Sequence, residues 1–253
     1  MQSIVEHRRL LTKLAIGFGS LPILSYAFTS YRGWLRLGPG GLPYNIFGWL
    51  MNVAGHIIAR SDTQEPAPYN PEHLTSLYGS SGNKTFFHGK ALPSRSGSRP
   101  EIPNFVAPQR QMTEQATPAM LERMKAFLAT LANQNPEIIQ LKLSSLEGPY
   151  QHALWLADGF AIPEHLKPNK GEFAHPHGEG STHVTLSLAD SAKVIALGWA
   201  ERHKLSGVKN MIPWGYVLIY APRNEEEFGV WKRIVVASAR FVAAAGPAVQ
   251  VPE

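Results

Sequence analysis

The stretch from Phe173 to Leu188, FAHPHGEGSTHVTLSL, restricts the fold more than any other part of the chain. Gly178-Glu179-Gly180 has the composition of a three-residue hairpin loop with glycine in the left-handed position. Such a turn sets Ser181 opposite His177 and His183 opposite His175. Side chains alternate along a strand, so His175, His177 and His183 then share one face of the hairpin. Pro176 favours extended geometry at His175. Ala174, Val184, Leu186 and Leu188 fall on the other face, which is apolar and suits a core. The expectation is a sheet that aims three imidazoles at a solvent-shielded hollow while its back is held against helices.

The neighbouring segments supply those partners. Thr117-Pro118 reads as a helix start, with Thr as N-cap and Pro at the first position, followed by the stripe Met120, Leu121, Met124, Phe127, Leu128 and Leu131. Strands are expected over 137–146 and 151–156, a helix over 191–199, a buried strand over 216–221 and a long final helix over 223–244. Asn224 reads as the cap of that last helix, with Glu227 completing a capping-box-like pair. Strands with helices between and after them give an α+β class, a mainly antiparallel sheet with helices on one side.

The first 115 residues differ in kind. A basic start (Arg8, Arg9, Lys13) precedes the uncharged run 14–28, LAIGFGSLPILSYAF, shorter than the roughly twenty residues of a spanning helix. Leu10, Leu11, Tyr26 and Tyr31 extend it, and the run lacks a small-x-small cleavage site before Arg32, so a retained membrane anchor is expected over a cleaved signal peptide. After a Gly/Pro turn, Ile46, Phe47, Leu50, Met51, Ala54, Ile57 and Ile58 recur at helical spacing, with Asn45, Asn52 and His56 opposite. This amphipathic helix has two readings: its apolar side packs on the catalytic domain, or it lies in a membrane interface. Residues 61–115 are rich in Pro, Gly, Ser and Asn and read as an extended wrap or substrate lid. The expected division is therefore an anchor (1–31), a turn and amphipathic helix (32–60), the wrap (61–115) and an α+β catalytic domain (116–253).

Composition removes several function classes. With no cysteine, disulfides, thiolate metal sites and a cysteine nucleophile are excluded. The net charge of +5 comes from scattered basic residues without a continuous block, which speaks against nucleic acid as a partner. There is no Walker loop, G-x-G-x-x-G, G-x-S-x-G or H-E-x-x-H, which argues against nucleotide-dependent, flavin or NAD, α/β-hydrolase and common zinc-protease chemistry.

Three pieces occur together in order: His175-x-His177 with Ser181-x-His183; Gly198-Trp199-Ala200-Glu201-Arg202-His203 with Leu205 and Gly207; and Tyr220-Ala221-Pro222-Arg223-Asn224-Glu225-Glu226-Glu227. Their order and spacing resemble the luciferase domain of fungi, over about Glu172 to Val242. The short anchor followed by LGPGGLPYN and Gly48-Trp49 is similar to the N-terminal region of that family's fungal members. The resemblance implies a membrane-associated enzyme with no organic cofactor and molecular oxygen as co-substrate. It implies oxygenation of an enolisable, α-pyrone-like or aromatic metabolite of polyketide type, and an address at the endoplasmic reticulum.

For the histidines the leading chemical reading is general base catalysis: imidazole removes the proton of an enolic substrate near neutral pH, and neighbouring donors hold the resulting anion. The rival is a metal on His175, His177 and His183, whose H-x-H-x5-H spacing is similar to that of metal-binding barrel enzymes. The bland reading is polar strand residues satisfied by backbone or water. Glu201, Arg202 and His203 are further catalytic candidates. Trp199 and Trp214 are candidates for stacking on substrate, although buried aromatics are more often core. Arg223, with its planar donor fork, is a candidate for binding a carboxylate, either of Glu201 or of substrate. Two other functions fit the same residues: non-oxidative isomerisation, cyclisation or decarboxylation, and non-catalytic carriage of an apolar metabolite.

Overall fold

The computed structural model describes residues 21–148, 151–209 and 211–252. Six strands form one antiparallel sheet: β1 (Ile139–Leu143), β2 (His152–Leu156), β3 (Glu172–Pro176), β4 (Thr182–Thr185), β5 (Ala200–Arg202) and β6 (Tyr216–Ile219), in the order β1-β2-β3-β4-β6-β5. The central β3–β4 hairpin has the expected register. His175 faces His183, Ala174 faces Val184, and the backbone N–H of His177 donates to Ser181 O at 2.8 Å. Gly180 takes φ +98°, where a Cβ would also meet the Cβ of Ala116 at 2.5 Å. Glycine is required there on both counts.

The back of the sheet carries the core. Ala174, Val184, Leu186, Val217 and Ile219 pack with Met124, Leu128 and Leu131 of α4 (Pro118–Gln134) and with Trp231, Ile234, Val235 and Phe241 of α6 (Glu225–Val242). Thr117 and Asn224 cap these helices, accepting from the N–H groups of Met120 and Glu227. Glu227 reaches back to the N–H of Arg223 at 2.9 Å, the expected reciprocal pair moved by one residue. Trp231 Nε1 donates to Thr182 Oγ1 and Ser238 Oγ to Thr185 O, so the few polar groups at this interface are paired. The α+β class with an antiparallel sheet and flanking helices is as the sequence implies.

Boundaries moved where side-chain capping decided them. Helix α5 runs Leu188–Ala196 rather than 191–199, because Ser187 accepts from the N–H of Asp190 and starts the helix directly after β4. Between Ser61 and Gln115 the regular structure is a 3-10 turn (Pro71–Leu74) and the short helix α3 (Thr75–Tyr78).

Before them come helix α1, whose described part covers 21–35, and α2 (Ile46–Gly55). Residues 1–20 of the anchor expected over 1–31 lie outside the described residues. Among those described, no helix is long and apolar enough to cross a membrane.

Helix α2 is amphipathic as its spacing implies, but it is seated the other way round from the packing expectation. Its buried residues are Gly48 and Asn52, and Asn52 Oδ1 accepts from the N–H of Val106 at 2.7 Å and of Ala107 at 3.3 Å. A Cβ on Gly48 would lie 1.9 Å from Pro43 O, so only glycine allows that approach. Ile46, Phe47, Leu50, Met51, Val53 and Ile57 face outward, Ile57 with 86% of its surface exposed. Asn52 faces the domain because it satisfies two backbone donors of the wrap, which an apolar side chain cannot do, while Asn45 and His56 remain exposed. On α1, Leu21, Ile23, Leu24, Tyr26 and Phe28 are exposed as well.

Candidate active site

The three hairpin imidazoles converge. Ring centroids of His177 and His183 lie 4.9 Å apart, and His175 is 5.3 Å from each. One ligand nitrogen from each of the three falls within 4.8 Å of the others. All three side chains are buried. Tyr216 stacks on His183 at 4.6 Å, and His203 adds a fourth ring 5.5 Å from His183.

The hydrogen bonds fix the tautomers. Glu172 is an acceptor, so His175 carries its proton on Nδ1 and donates to Glu172 Oε1 at 2.7 Å. Ser181 Oγ donates to Glu179, which leaves it to accept from Nδ1–H of His177 at 2.8 Å. For His177, which burial keeps neutral, the lone pair is therefore on Nε2. Nε2 of His177 and Nδ1 of His183 are buried without a hydrogen-bond partner among the described residues. His203 is tied off, with Nδ1 accepting from the N–H of Leu205 at 3.1 Å.

Burial sets the charges. Desolvation, with Arg110 and the other histidines adding to it, holds His177 well below its ordinary pKa, and desolvation does the same for His183. His203 is lowered to about 4, chiefly by burial. These rings are neutral at pH 7. For Glu172 burial pushes upward, but the bonds from His175, Ser144 and the Ser145 backbone outweigh it and keep the carboxylate ionised.

A cleft of about 360 Å³ lies beside the hairpin turn, and its wall includes Arg36, Arg110, Gln111, Glu147, Gln151 and Glu179. Glu147 stands between cleft and imidazoles: its Oε2 is 3.7 Å from His175 Nε2 and 3.6 Å from His177 Nε2, while its other oxygen pairs with Arg110. Arg110 is buried and also approaches Glu179 at 4.0 Å.

Residues 170–238 match the luciferase domain family. The family resemblance read from the His-x-His, Gly-Trp-Ala-Glu-Arg-His and Tyr-Ala-Pro-Arg pieces is borne out. The chain is also similar over most of its length to proteins named luciferase. That of Armillaria ostoyae is 28% identical over 94% of this chain and 90% of the relative. The luciferase of Armillaria gallica is 29% identical over 90% and 86%, and that of Neonothopanus nambi 29% over 84% and 79%. No solved structure matches.

Within the matched residues 170–238 the other candidates divide by strand parity. Glu201 pairs across β6 with Leu218, itself opposite His183, so Glu201 and His203 lie on the histidine face. Glu201 is nevertheless engaged by Arg99, by Gln109 Nε2 at 3.1 Å and by Tyr220 OH at 3.2 Å. Arg202 pairs with Val217, opposite Val184, and so takes the other side of the sheet. There its guanidinium donates to the carbonyls of Trp214 and Pro66 and lies 5.2 Å from the Tyr69 ring. It does not join the imidazoles, because adjacent residues of a strand point oppositely.

Trp199 is core, with Nε1 donating to Pro93 O at 2.7 Å. Trp214 packs on Tyr69 and under Arg60, beside a separate cleft that also touches Leu77, His165 and Gly207. Arg223 does bind carboxylates, but those of Glu227 and Glu114 rather than Glu201. The helix cap it precedes brings Glu227 within reach first.

Three site residues escaped the sequence reading. Strict alternation places Glu172 on the face opposite His175, but the register shifts between Leu154 and Trp155, which pair with Ala174 and Glu172. The extra residue leaves Phe173 and Ala174 both in the core and returns Glu172 to the imidazole. Glu147 and Arg110 lie in loops with no motif, and only the fold brings them to the hairpin.

Proposed function

We propose that this chain is a luciferase-like oxygenase that adds molecular oxygen to a small, apolar, enolisable aromatic or polyketide-type molecule, without an organic cofactor. The observation that carries the reading is the position of Glu147, a buried carboxylate that lines the open cleft and touches two imidazoles of the luciferase-like domain. Substrate in the cleft meets Glu147 before any imidazole, so proton removal is assigned to this carboxylate. The carbanion-like enolate then forms a C–O bond with O2, and the resulting peroxide anion takes the proton back from Glu147. The net change is insertion of both oxygen atoms between carbon and hydrogen. Arg110, at the same wall, is a fixed positive group for the enolate and the peroxide.

A second reading keeps the base on an imidazole. It is favoured by the 2.7 Å bond from His175 to Glu172, an arrangement that fixes the orientation of the ring.

The outward apolar residues of α1 and α2 support action at a membrane surface, where an apolar substrate is concentrated. The test is oxygen uptake by the purified chain with candidate pyrones and enolisable phenols, repeated under argon. Substrate-dependent uptake is the expected result. Equal product formation under argon would replace the reading by non-oxidative proton chemistry, and tight retention of a ligand with no turnover would replace it by a carrier.

A further inference from the structure

The geometry points to a divalent transition-metal site formed by His175, His177 and His183, with its open position facing Glu147 and the cleft. Three independent features of the hairpin converge on it. The first is distance: one nitrogen from each ring lies within 4.8 Å of the others. An ion bonded to three imidazoles at about 2.1 Å holds their nitrogens about 3.4 Å apart. Small χ rotations close that gap, and the antiparallel register already fixes the three Cβ positions on one face.

The second is the state of the ring nitrogens. Metal-bound imidazoles usually donate their other N–H to a carboxylate or hydroxyl, which fixes the tautomer and the ring plane. His175 does this with Glu172 and His177 with the Ser181–Glu179 pair, which leaves Nε2 of each ring directed to the centre. Nε2 of His177 and Nδ1 of His183 are buried without a partner among the described residues, as expected where a water, ion or ligand completes the bonding.

The third is charge. Glu147, Glu172 and Glu179 gather around the trio and Arg110 is the guanidinium that faces them, so the surroundings hold more negative than positive groups. A dication offsets the excess. The donor set of neutral imidazoles without sulfur suits zinc or ferrous iron better than magnesium or calcium, which prefer oxygen. Glu147 is not one of the three ligands. Its carboxylate, held by Arg110, stands over the open position, where it remains able to exchange a proton with a molecule in the cleft.

Ion uptake can be read without substrate or oxygen, so it stands or falls separately from the oxygenation reading. The test uses the full-length chain, treated with a chelator and then titrated with Zn2+, Co2+ and, anaerobically, Fe2+. Metal content is measured by elemental analysis, and melting temperature and the visible bands of Co2+ are followed. The expected result is one ion per chain, a higher melting temperature on binding and Co2+ bands of a low-coordinate nitrogen site. His177→Ala and His183→Ala should each abolish stoichiometric uptake. Glu172→Gln should weaken it by about 10–100-fold, the effect of losing an orienting partner, and Glu147→Gln should retain it. Failure of the wild-type chain to take up any of the three ions at micromolar concentration would overturn the site, even if the histidine variants do not fold. Uptake unchanged in the folded histidine variants would overturn it equally. Stoichiometric uptake would also remove His175 as a free base.

Discussion

The β3–β4 hairpin and helix α2 both alternate polar and apolar faces, yet they are seated in opposite senses. In the hairpin, Ala174, Val184 and Leu186 enter the core and the histidines form a second, polar interior on the other side. In α2, Asn52 goes inward to hold the backbone of Val106 and Ala107, and Phe47, Leu50, Met51 and Ile57 are left outside. Periodicity reports which side chains share a face. It does not report which face meets protein, water or lipid, and that depends on what the neighbouring segments offer. The sheet is covered on both sides, whereas α2 meets the domain along one edge where unpaired N–H groups await an acceptor.

The sharpest break of this comparison lies at the hairpin. Glu147→Gln keeps the shape of the carboxylate but removes its basicity, so substrate-dependent oxygen uptake should fall by about 10²–10⁴-fold while melting behaviour stays near wild type. If the rate is unchanged and His175→Gln abolishes it, the base belongs to the imidazole.

Next in size is the pH response of the buried rings. A histidine held below its unfolded pKa stays neutral in the native state, while the unfolded chain takes up a proton below about 6.5. Stability is therefore fully present above that pH and declines as pH falls toward the folded pKa, about 4 for His203. His203 alone contributes a loss of up to about 3 kcal/mol across that window, and His177 and His183 act in the same direction. Denaturant melts between pH 7 and 4 should show the decline, and a flat profile would mean the rings are protonated or open to water.

The corresponding change in α2 is smaller. Asn52→Leu makes the helix more uniformly apolar, yet it should destabilise the protein by about 1–3 kcal/mol, because two N–H groups of the wrap lose their acceptor. Smallest in stability is the outward face: replacing Phe47, Leu50 and Ile57 by Ser should alter stability by no more than about 0.5 kcal/mol each, as at ordinary surface sites. Co-sedimentation with phospholipid vesicles should nevertheless drop by about tenfold, since each side chain withdrawn from lipid forfeits its burial. A large loss of stability with unchanged vesicle binding would show that this face covers protein instead.

Much of the centre was legible locally. Gly178-Glu179-Gly180 dictates the turn, the turn dictates that His175 meets His183, and alternation separates Arg202 from its neighbours Glu201 and His203. The same rule hid Glu172, because one extra residue in the pairing with β2 reverses its side. Arg223 and Glu227 were legible as a helix start, but Arg223 was open to a catalytic reading until its carboxylate partners were known.

By itself the sequence determined the class of the fold, the hairpin and its register, the capped helices and the family resemblance. Each follows from interactions between residues close in the chain or from a run of residues that can be compared directly. Only the tertiary structure decided that Glu147 and Arg110 stand at the mouth of the imidazole trio, that Glu201 is occupied by Arg99, and that α2 turns its apolar side outward. Those outcomes depend on contacts between distant segments, where burial and unsatisfied backbone groups set the energy, and no local pattern encodes them.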